Sequence, residues 1–260
     1  MNASQKSVCL ISILFGFLIP AMSFTGDAHA CRPLTSEACV DTVGNGRHWS
    51  FNQSSLYWTV VAVTPDVTDD KDIHLYPQCY AGDVIASSTY ISGTDFIVGD
   101  FNHNTPGTYY ASTLFGTETD LYTVEWVEGG DIFPVSTWFW ELMGSNTSPC
   151  NLVRIWDIFL EEGVEYRIEL QVADPPDIQL SLFRNPGVTE YWAGRGDSEW
   201  EIDENTPTFV YVPPATDWYG LVAHPSEAAS YGAGTLITFE KLNDCIALDP
   251  GNCVYTPMYS

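Results

Sequence analysis

Nucleophilic catalysis needs a serine or cysteine beside a histidine base that an acid holds in place. Beyond the first thirty residues the chain carries four histidines, His48, His74, His103 and His224. None has a sequence-local partner of that kind, and neither G-x-S-x-G nor H-E-x-x-H occurs. Glu161-Glu162 could do acid–base work, but such pairs arise by chance in so acidic a chain. No residue is therefore assigned a catalytic role, and the chain is read as a non-enzyme. Two other chemistries have better material. Asp66, Asp69, Asp70 and Asp72 crowd one loop, and oxygen ligands in an irregular loop suit calcium. The glycine and distal glutamate of an EF-hand are missing, and loop aspartates also bond turn amides, so no cofactor is assigned beyond calcium as an option. The loop from Asn185 to Glu201 brings Tyr191, Trp192 and Trp200 together with Arg195 and Asp197. Rings that stack on sugars beside groups that bond hydroxyls make these five the candidate binding residues. The alternative is that the tryptophans pack back onto the scaffold.

The elements that must position them are strands. Leu56 to Val63 is rich in β-branched and aromatic residues, and Ile73-His74-Leu75-Tyr76 alternates. Asp95–Val98, Tyr109–Leu114 and Leu121–Val127 follow, separated by Asp, Gly, Asn and Pro. No 3.6-residue period lasts a helix length; the best helical stretch, Ile158 to Glu162, is cut short by Gly163. The plan then recurs: Val164–Val172, Ile178–Phe183, Thr208–Val212, Trp218–Ala223 and Gly234–Phe239. Asp72-Ile73-His74-Leu75 matches Asp177-Ile178-Gln179-Leu180, and Tyr109 matches Trp218, at separations of about 105 to 109 residues. The matched pair His74 and Gln179 reads as outward polar positions. The expected fold is all-β: two tandem jelly-roll-like β-sandwiches after a cleaved signal peptide.

The domains follow from this. Residues 1–30 form a signal, with Lys6, an apolar run from Val8 to Leu18, and Ala28-His29-Ala30 as the cleavage site. Cys31 after it raises a lipoprotein signal, but Ala28 is not the aliphatic residue a lipobox wants. A leader spans 31–46 and a first sandwich 47–129. A linker, or first strand of the second domain, spans 130–149. The second sandwich takes 150–243 and a tail 244–260. The linker holds Trp138-Phe139-Trp140, either a strand buried on both sides or an exposed strand that meets a partner. Six of the seven cysteines, Cys31, Cys39, Cys79, Cys150, Cys245 and Cys253, follow the signal and suggest three disulfides in an exported chain, with fifteen possible connectivities. The equal spacings of Cys31–Cys39 and Cys245–Cys253 would close small terminal loops and leave Cys79 with Cys150.

A net charge of -25 disfavours nucleic acid and anionic membranes as partners. The 45% hydrophobic content is still enough for packed cores, and no stretch after the signal is long enough to span a bilayer.

Asp72, Ile73 and Leu75, followed after a variable loop by Gly107-Thr108-Tyr109-Tyr110, resemble the bacterial pre-peptidase C-terminal (PPC) domain. Asp177, Ile178, Leu180 and Trp218-Tyr219 repeat the pattern, with Thr-Asp-Trp where Gly-Thr-Tyr stands in the first copy. The resemblance covers about 100 residues in each half through short motifs. It implies a sandwich similar to carbohydrate-binding modules and a role in binding, or as accessory to a secreted hydrolase, rather than catalysis. The expected function is a secreted binding or adhesion protein contacting glycan or surface protein through its loops. The alternative is a surface-layer or filament subunit that self-assembles through edge strands.

Overall fold

The computed structural model describes residues 31–34, 38–43, 47–65, 70–79, 81–91, 93–114, 121–132, 138–143, 152–172, 178–197, 201–206, 208–225, 233–242, 247–249 and 252–253. The proposed signal at 1–30 lies outside them. The first half contains β1 (Arg32–Pro33), β2 (Ala38–Val43), β3 (Arg47–Gln53), β4 (Trp58–Pro65), β5 (Asp72–Tyr76), β6 (Ala86–Ser88), β7 (Asp95–Asp100), β8 (Gly107–Leu114) and β9 (Leu121–Glu128). The second half contains β10 (Asp131–Ile132), β11 (Trp138–Met143), β12 (Arg154–Leu160), β13 (Tyr166–Val172), β14 (Ile178–Phe183), β15 (Trp192–Gly194), β16 (Glu201–Thr206), β17 (Thr208–Tyr211), β18 (Asp217–Pro225) and β19 (Ala233–Lys241).

The chain is all-β, and its two sandwiches repeat strand for strand. The first pairs a sheet β1-β3-β8-β5-β6 with a sheet containing β7-β4-β9-β2. The second pairs β10-β12-β18-β14-β16 with β11-β19-β13-β17. In each, β2 with β9, β3 with β8, β4 with β7 and β5 with β6, or their counterparts, form one long antiparallel hairpin rolled onto itself. That is the jelly-roll order. β1 and β10 each add a short parallel strand, to β3 and β12. The leader therefore supplies strands to both sheets of the first sandwich, and β11 pairs with β19 in the second. The best helical stretch of the sequence, Ile158 to Glu162, is instead the end of β12 and the turn after it, and the strand's alternation sends Ile158 and Leu160 into a sheet-packed core.

The sheets stack in four layers with three apolar seams. Trp49, Phe51, Val61, Ile73, Ile97 and Trp126 fill the first sandwich. Ile158, Ile168, Leu180, Tyr219 and Ile237 fill the second. Between them lies a third seam, built from the other faces of the same strands. Trp58, Val60, Phe96 and Val98 of the first sandwich meet Ile155, Phe183 and Val222 of the second. The middle two sheets are buried on both faces, which is why β4 and β7 are buried at every position and read as continuous apolar runs. On the far face of the last sheet Arg167 and Glu240 pair at 2.9 Å, both exposed.

The ladders also correct the register of the repeat. The Tyr109 hydroxyl donates to the Thr105 carbonyl at 2.7 Å, and the Tyr219 hydroxyl to the Ala215 carbonyl at 2.9 Å. Tyr109 thus matches Tyr219, not Trp218. Ile73 pairs with Thr113 and Leu180 with Ala223, so Ile73 matches Leu180, two residues beyond the sequence alignment. His74 then matches Ser181 rather than Gln179. A shift of two preserves the face, so the hydrophobic pattern could not expose the error.

Candidate functional site

The aromatic loop is the tip of the second hairpin, and it crosses to the first sandwich. Its β15 adds to the edge of β7, with Trp192 opposite Gly99 and Gly194 opposite Ile97. This overturns the expectation of exposed stacking rings. Tyr191 is 1% exposed and Trp192 8%. Tyr191 lies edge-on to Trp58 in the middle seam at 5.3 Å. Trp192 packs against Phe101 and Tyr109 at 5.3 and 4.8 Å, inside the first core. Gly99 makes room for it, since a Cβ there would fall 2.5 Å from the indole. Arg195 is buried as well. Its guanidinium lies 3.9 Å from the Tyr90 ring centre and donates to the Thr94 carbonyl at 2.6 Å. Asp197 is half-buried after the strand, and Trp200 lies outside the described residues. Large rings beside an otherwise unpaired sheet edge gain more from burial than from solvent, and here they close the β7 edge.

Polar groups fix this strap. The Asn104 side chain donates to the Tyr191 carbonyl at 2.7 Å, and the Asn185 side chain donates to Asp100 at 2.9 Å. Glu125, also buried, accepts from the Leu152 and Val153 amides at 3.0 to 3.2 Å.

The described disulfide joins Cys31 to Cys79, which overturns both Cys31–Cys39 and Cys79–Cys150. Cys31 leads into β1 beside β3, and Cys79 follows β5 in the same sheet, so the bond ties the segment before β1 to the end of β5. Cys39 lies on β2, in the other sheet. Cys150 and Cys245 lie outside the described residues.

Of the acidic loop, Asp66 and Asp69 lie outside the described residues. Asp70 and Asp72 come within 4.8 Å of a carboxylate the sequence reading did not include, Asp95 at the start of β7. Burial pushes the Asp95 carboxyl up to about 7; hydrogen bonds from Ser88 and the Tyr90 amide oppose this, and Asp72 adds to it. No local pattern linked Asp95 to Asp72; only the pairing of sheets does.

The histidines divide three ways. His103 Nδ1 lies 2.6 Å from Asp100, with its side chain partly exposed. His224 is wholly buried: Nδ1–H donates to the Pro225 carbonyl at 3.0 Å, and Nε2 accepts from the Ser181 hydroxyl at 3.1 Å. Burial, with Arg195 nearby, pushes its pKa down to about 3. Among the described residues neither arrangement unites nucleophile, imidazole and carboxylate in a cleft.

The remaining two share a surface. On the outward side of β3, β8 and β5, His48 stands across from Ser112 and Ser112 from His74. In the next row come Ser50, Tyr110 and Tyr76, and beyond them Asn52 and Thr108. Tyr76 lies between the imidazoles, 6.5 Å from His48 and 6.3 Å from His74, its hydroxyl 3.4 Å from His74 Nδ1. The rings are half-buried and Asn52 and Thr108 exposed, while the Ser112 hydroxyl beneath is buried without a hydrogen-bond partner. The signal was present in the sequence as the alternation of His48, Ser50 and Asn52 with Trp49 and Phe51, but β3 had not been identified as a strand. The corresponding face of the second sandwich carries Ile155, Val222 and Phe183 where this one has His48, Ser112 and Tyr76, and it docks against the first sandwich.

No family model matches the chain, and no curated protein matches it. The PPC resemblance thus remains one of short motifs. Among solved structures, the CUB1-EGF-CUB2 fragment of human MASP-1/3 aligns over 78% of this chain and 99% of its own, at 9% identity and a TM-score of 0.23. The corresponding rat MASP-1 fragment aligns over 81% and 100%, at 8% identity and 0.23. The CBM22-1-CBM22-2 tandem of Paenibacillus barcinonensis Xyn10C aligns over 78% and 79%, at 12% identity and 0.21. Likenesses this distant do not bear on what the chain binds.

Proposed function

We propose that the protein is a non-catalytic binding module of the cell exterior that takes a glycan on the open face of its first sandwich. The supporting observation is the cluster of His48, His74, Tyr76 and Tyr110 over two adjacent rows of that face, with Ser50, Asn52 and Thr108 beside them. Half-buried rings offer stacking surface held in place by neighbours, and the hydroxyl and amide groups around them can bond sugar hydroxyls. The matching face of the second sandwich is apolar and occupied, so the polar one is the face left for a ligand. The Cys31–Cys79 bond suits an oxidising compartment. The net charge argues against nucleic acid and anionic membrane as partners. No helix of the described residues is long and apolar enough to cross a membrane.

The test is retention on a panel of soluble and insoluble polysaccharides. Tyr76→Ala and Tyr110→Ala, each losing at most a partly exposed ring, are expected to weaken retention at least tenfold with the melting temperature nearly unchanged. No glycan binding by the unaltered chain would overturn this function.

One observation favours a second role, assembly. β17 occupies the place in the second sandwich that β7 has in the first, yet among the described residues no strand caps it as β15 caps β7. Val210 and Val212 beside that edge are 49% and 51% exposed. An added strand from a second copy would make oligomers whose size grows with concentration, and Val210→Lys would abolish them. A monomer at all concentrations excludes this role.

A further inference from the structure

Asp70 just before β5, Asp72 opening β5 and Asp95 opening β7 in the opposite sheet converge at one end of the first sandwich. Each offers a carboxylate oxygen within 4.8 Å of the others. Clustered acids alone mean little in so acidic a chain, but Asp95 differs from its neighbours. It is 0% exposed, and its two oxygens are used unequally. Oδ1 accepts both available hydrogen bonds, from the Ser88 hydroxyl and from the Tyr90 amide at 2.9 Å. Oδ2 is buried and has no hydrogen-bond partner. A buried carboxylate oxygen left without a donor, beside two further carboxylates, is a costly arrangement that a bound cation relieves. Lys71, between two of the acids in sequence, places its ammonium over the Tyr122 ring, 5.4 Å from the centre. Arg195 offsets part of the charge on Asp95 while seated on Tyr90.

We propose that Asp70, Asp72 and Asp95 form a calcium site that joins β5 to β7 at the rim of the first sandwich. Only oxygen is offered, which suits a hard cation. Calcium takes six to eight oxygens at about 2.3 to 2.6 Å in a flexible shell that suits an irregular cluster, whereas magnesium demands a near-ideal octahedron at about 2.1 Å. The Ser88 hydroxyl and Tyr90 amide fix the orientation of Asp95, as outer partners of ligating carboxylates do, and Oδ2 is the oxygen left for the ion. Water completes the shell on the exposed Asp70 side. Tyr90, whose amide donates to Asp95, carries the Arg195 guanidinium of the crossing strap over its ring, so the ion firms the ground on which the second half holds the first. Its residues are other than those named for the glycan face, although Asp72 and His74 stand two apart on β5 and attract one another; calcium binding and glycan retention are read by separate measurements.

The test uses the full disulfide-bonded chain, stripped with chelator and titrated with calcium or magnesium by calorimetry and thermal unfolding. The expected result is saturable calcium binding with a rise in melting temperature, and a smaller response to magnesium. Asp70→Asn, at an exposed position that leaves the fold intact, is expected to weaken calcium binding at least tenfold. Asp95→Asn keeps the shape and is expected to remove the thermal response. Absence of any calcium-dependent shift in the unaltered chain overturns the proposal, as does calcium binding by Asp70→Asn and Asp95→Asn equal to that of the unaltered chain.

Discussion

The backbone amide of Trp58 donates to both carboxylate oxygens of Asp157, at 2.9 and 3.0 Å, although 99 residues separate the two in sequence. Asp157 is 1% exposed, and the Asn102 side chain also donates to it, at 3.3 Å. The Trp58 indole donates in turn to the Trp218 carbonyl at 3.3 Å. The two sandwiches are thus joined by directed hydrogen bonds as well as by apolar contact. Asp157→Ala leaves a buried amide without its acceptor, so a loss of about 2 to 3 kcal/mol is expected, measurable by urea unfolding. Because the middle seam is continuous with both cores, fluorescence from either half should report one shared transition. Two transitions in the unaltered chain would contradict the shared seam.

Trp192→Ala should be a stability variant and not a binding variant. Removing a ring packed on Phe101 and Tyr109 is expected to lose about 3 to 5 kcal/mol. Gly99→Ala meets the same ring from below, so its effect should largely vanish in the Trp192→Ala background. A double-mutant cycle by denaturant titration checks both; additive losses would mean that the ring does not rest on Gly99.

The disulfide prediction separates two pairings directly. Peptide mapping without reduction should yield a Cys31–Cys79 linked pair. The bond closes a sequence separation of 48 residues, for which chain-entropy arguments give about 4 kcal/mol. Cys79→Ser is expected to lose stability of that order, and a Cys31–Cys39 peptide would contradict the placement of Cys39 on β2, in the sheet opposite β1.

Strand pattern carried most of the fold. Ile73 and Leu75 alternate visibly, and the apolar run of β4 could be read as buried before any pairing was known. What the pattern could not carry was address. Tyr191 and Trp192 have the composition of a sugar site and the position of a core, and only the pairing of β15 with β7 decides between them. Cys79 pairs with the residue its sheet brings near, not the one its spacing suggests. Asp95 stands 23 positions from Asp72, on the facing sheet, and no local period joins them. His48 was hidden differently: β3 alternates well enough, but its polar half resembled a loop.

His224 should leave a mark on the pH dependence of stability. In the unfolded chain its imidazole titrates at about 6.5, whereas burial in the middle seam holds the folded value at about 3. Between those values the unfolded state binds the extra proton, so His224 favours folding fully above pH 6.5. That contribution is lost as pH falls toward 3, with a slope approaching 1.4 kcal/mol for each unit, roughly, once the unfolded imidazole is charged. In calcium-free buffer Asp95 acts in the opposite sense. Its carboxyl, raised to about 7, makes the folded state the better proton binder as pH rises from the usual carboxylate range. The unaltered profile is therefore flatter than either group alone would give. His224→Gln removes one side of this opposition while leaving a side chain that can still accept from Ser181. The informative quantity is the stability difference between the unaltered chain and His224→Gln, by urea unfolding from pH 5 to pH 8. It should be constant above pH 7 and should shift against the unaltered chain by about 1 kcal/mol per unit below pH 6. Parallel profiles would mean that His224 takes up its proton in the folded state, and so that the seam around it admits water.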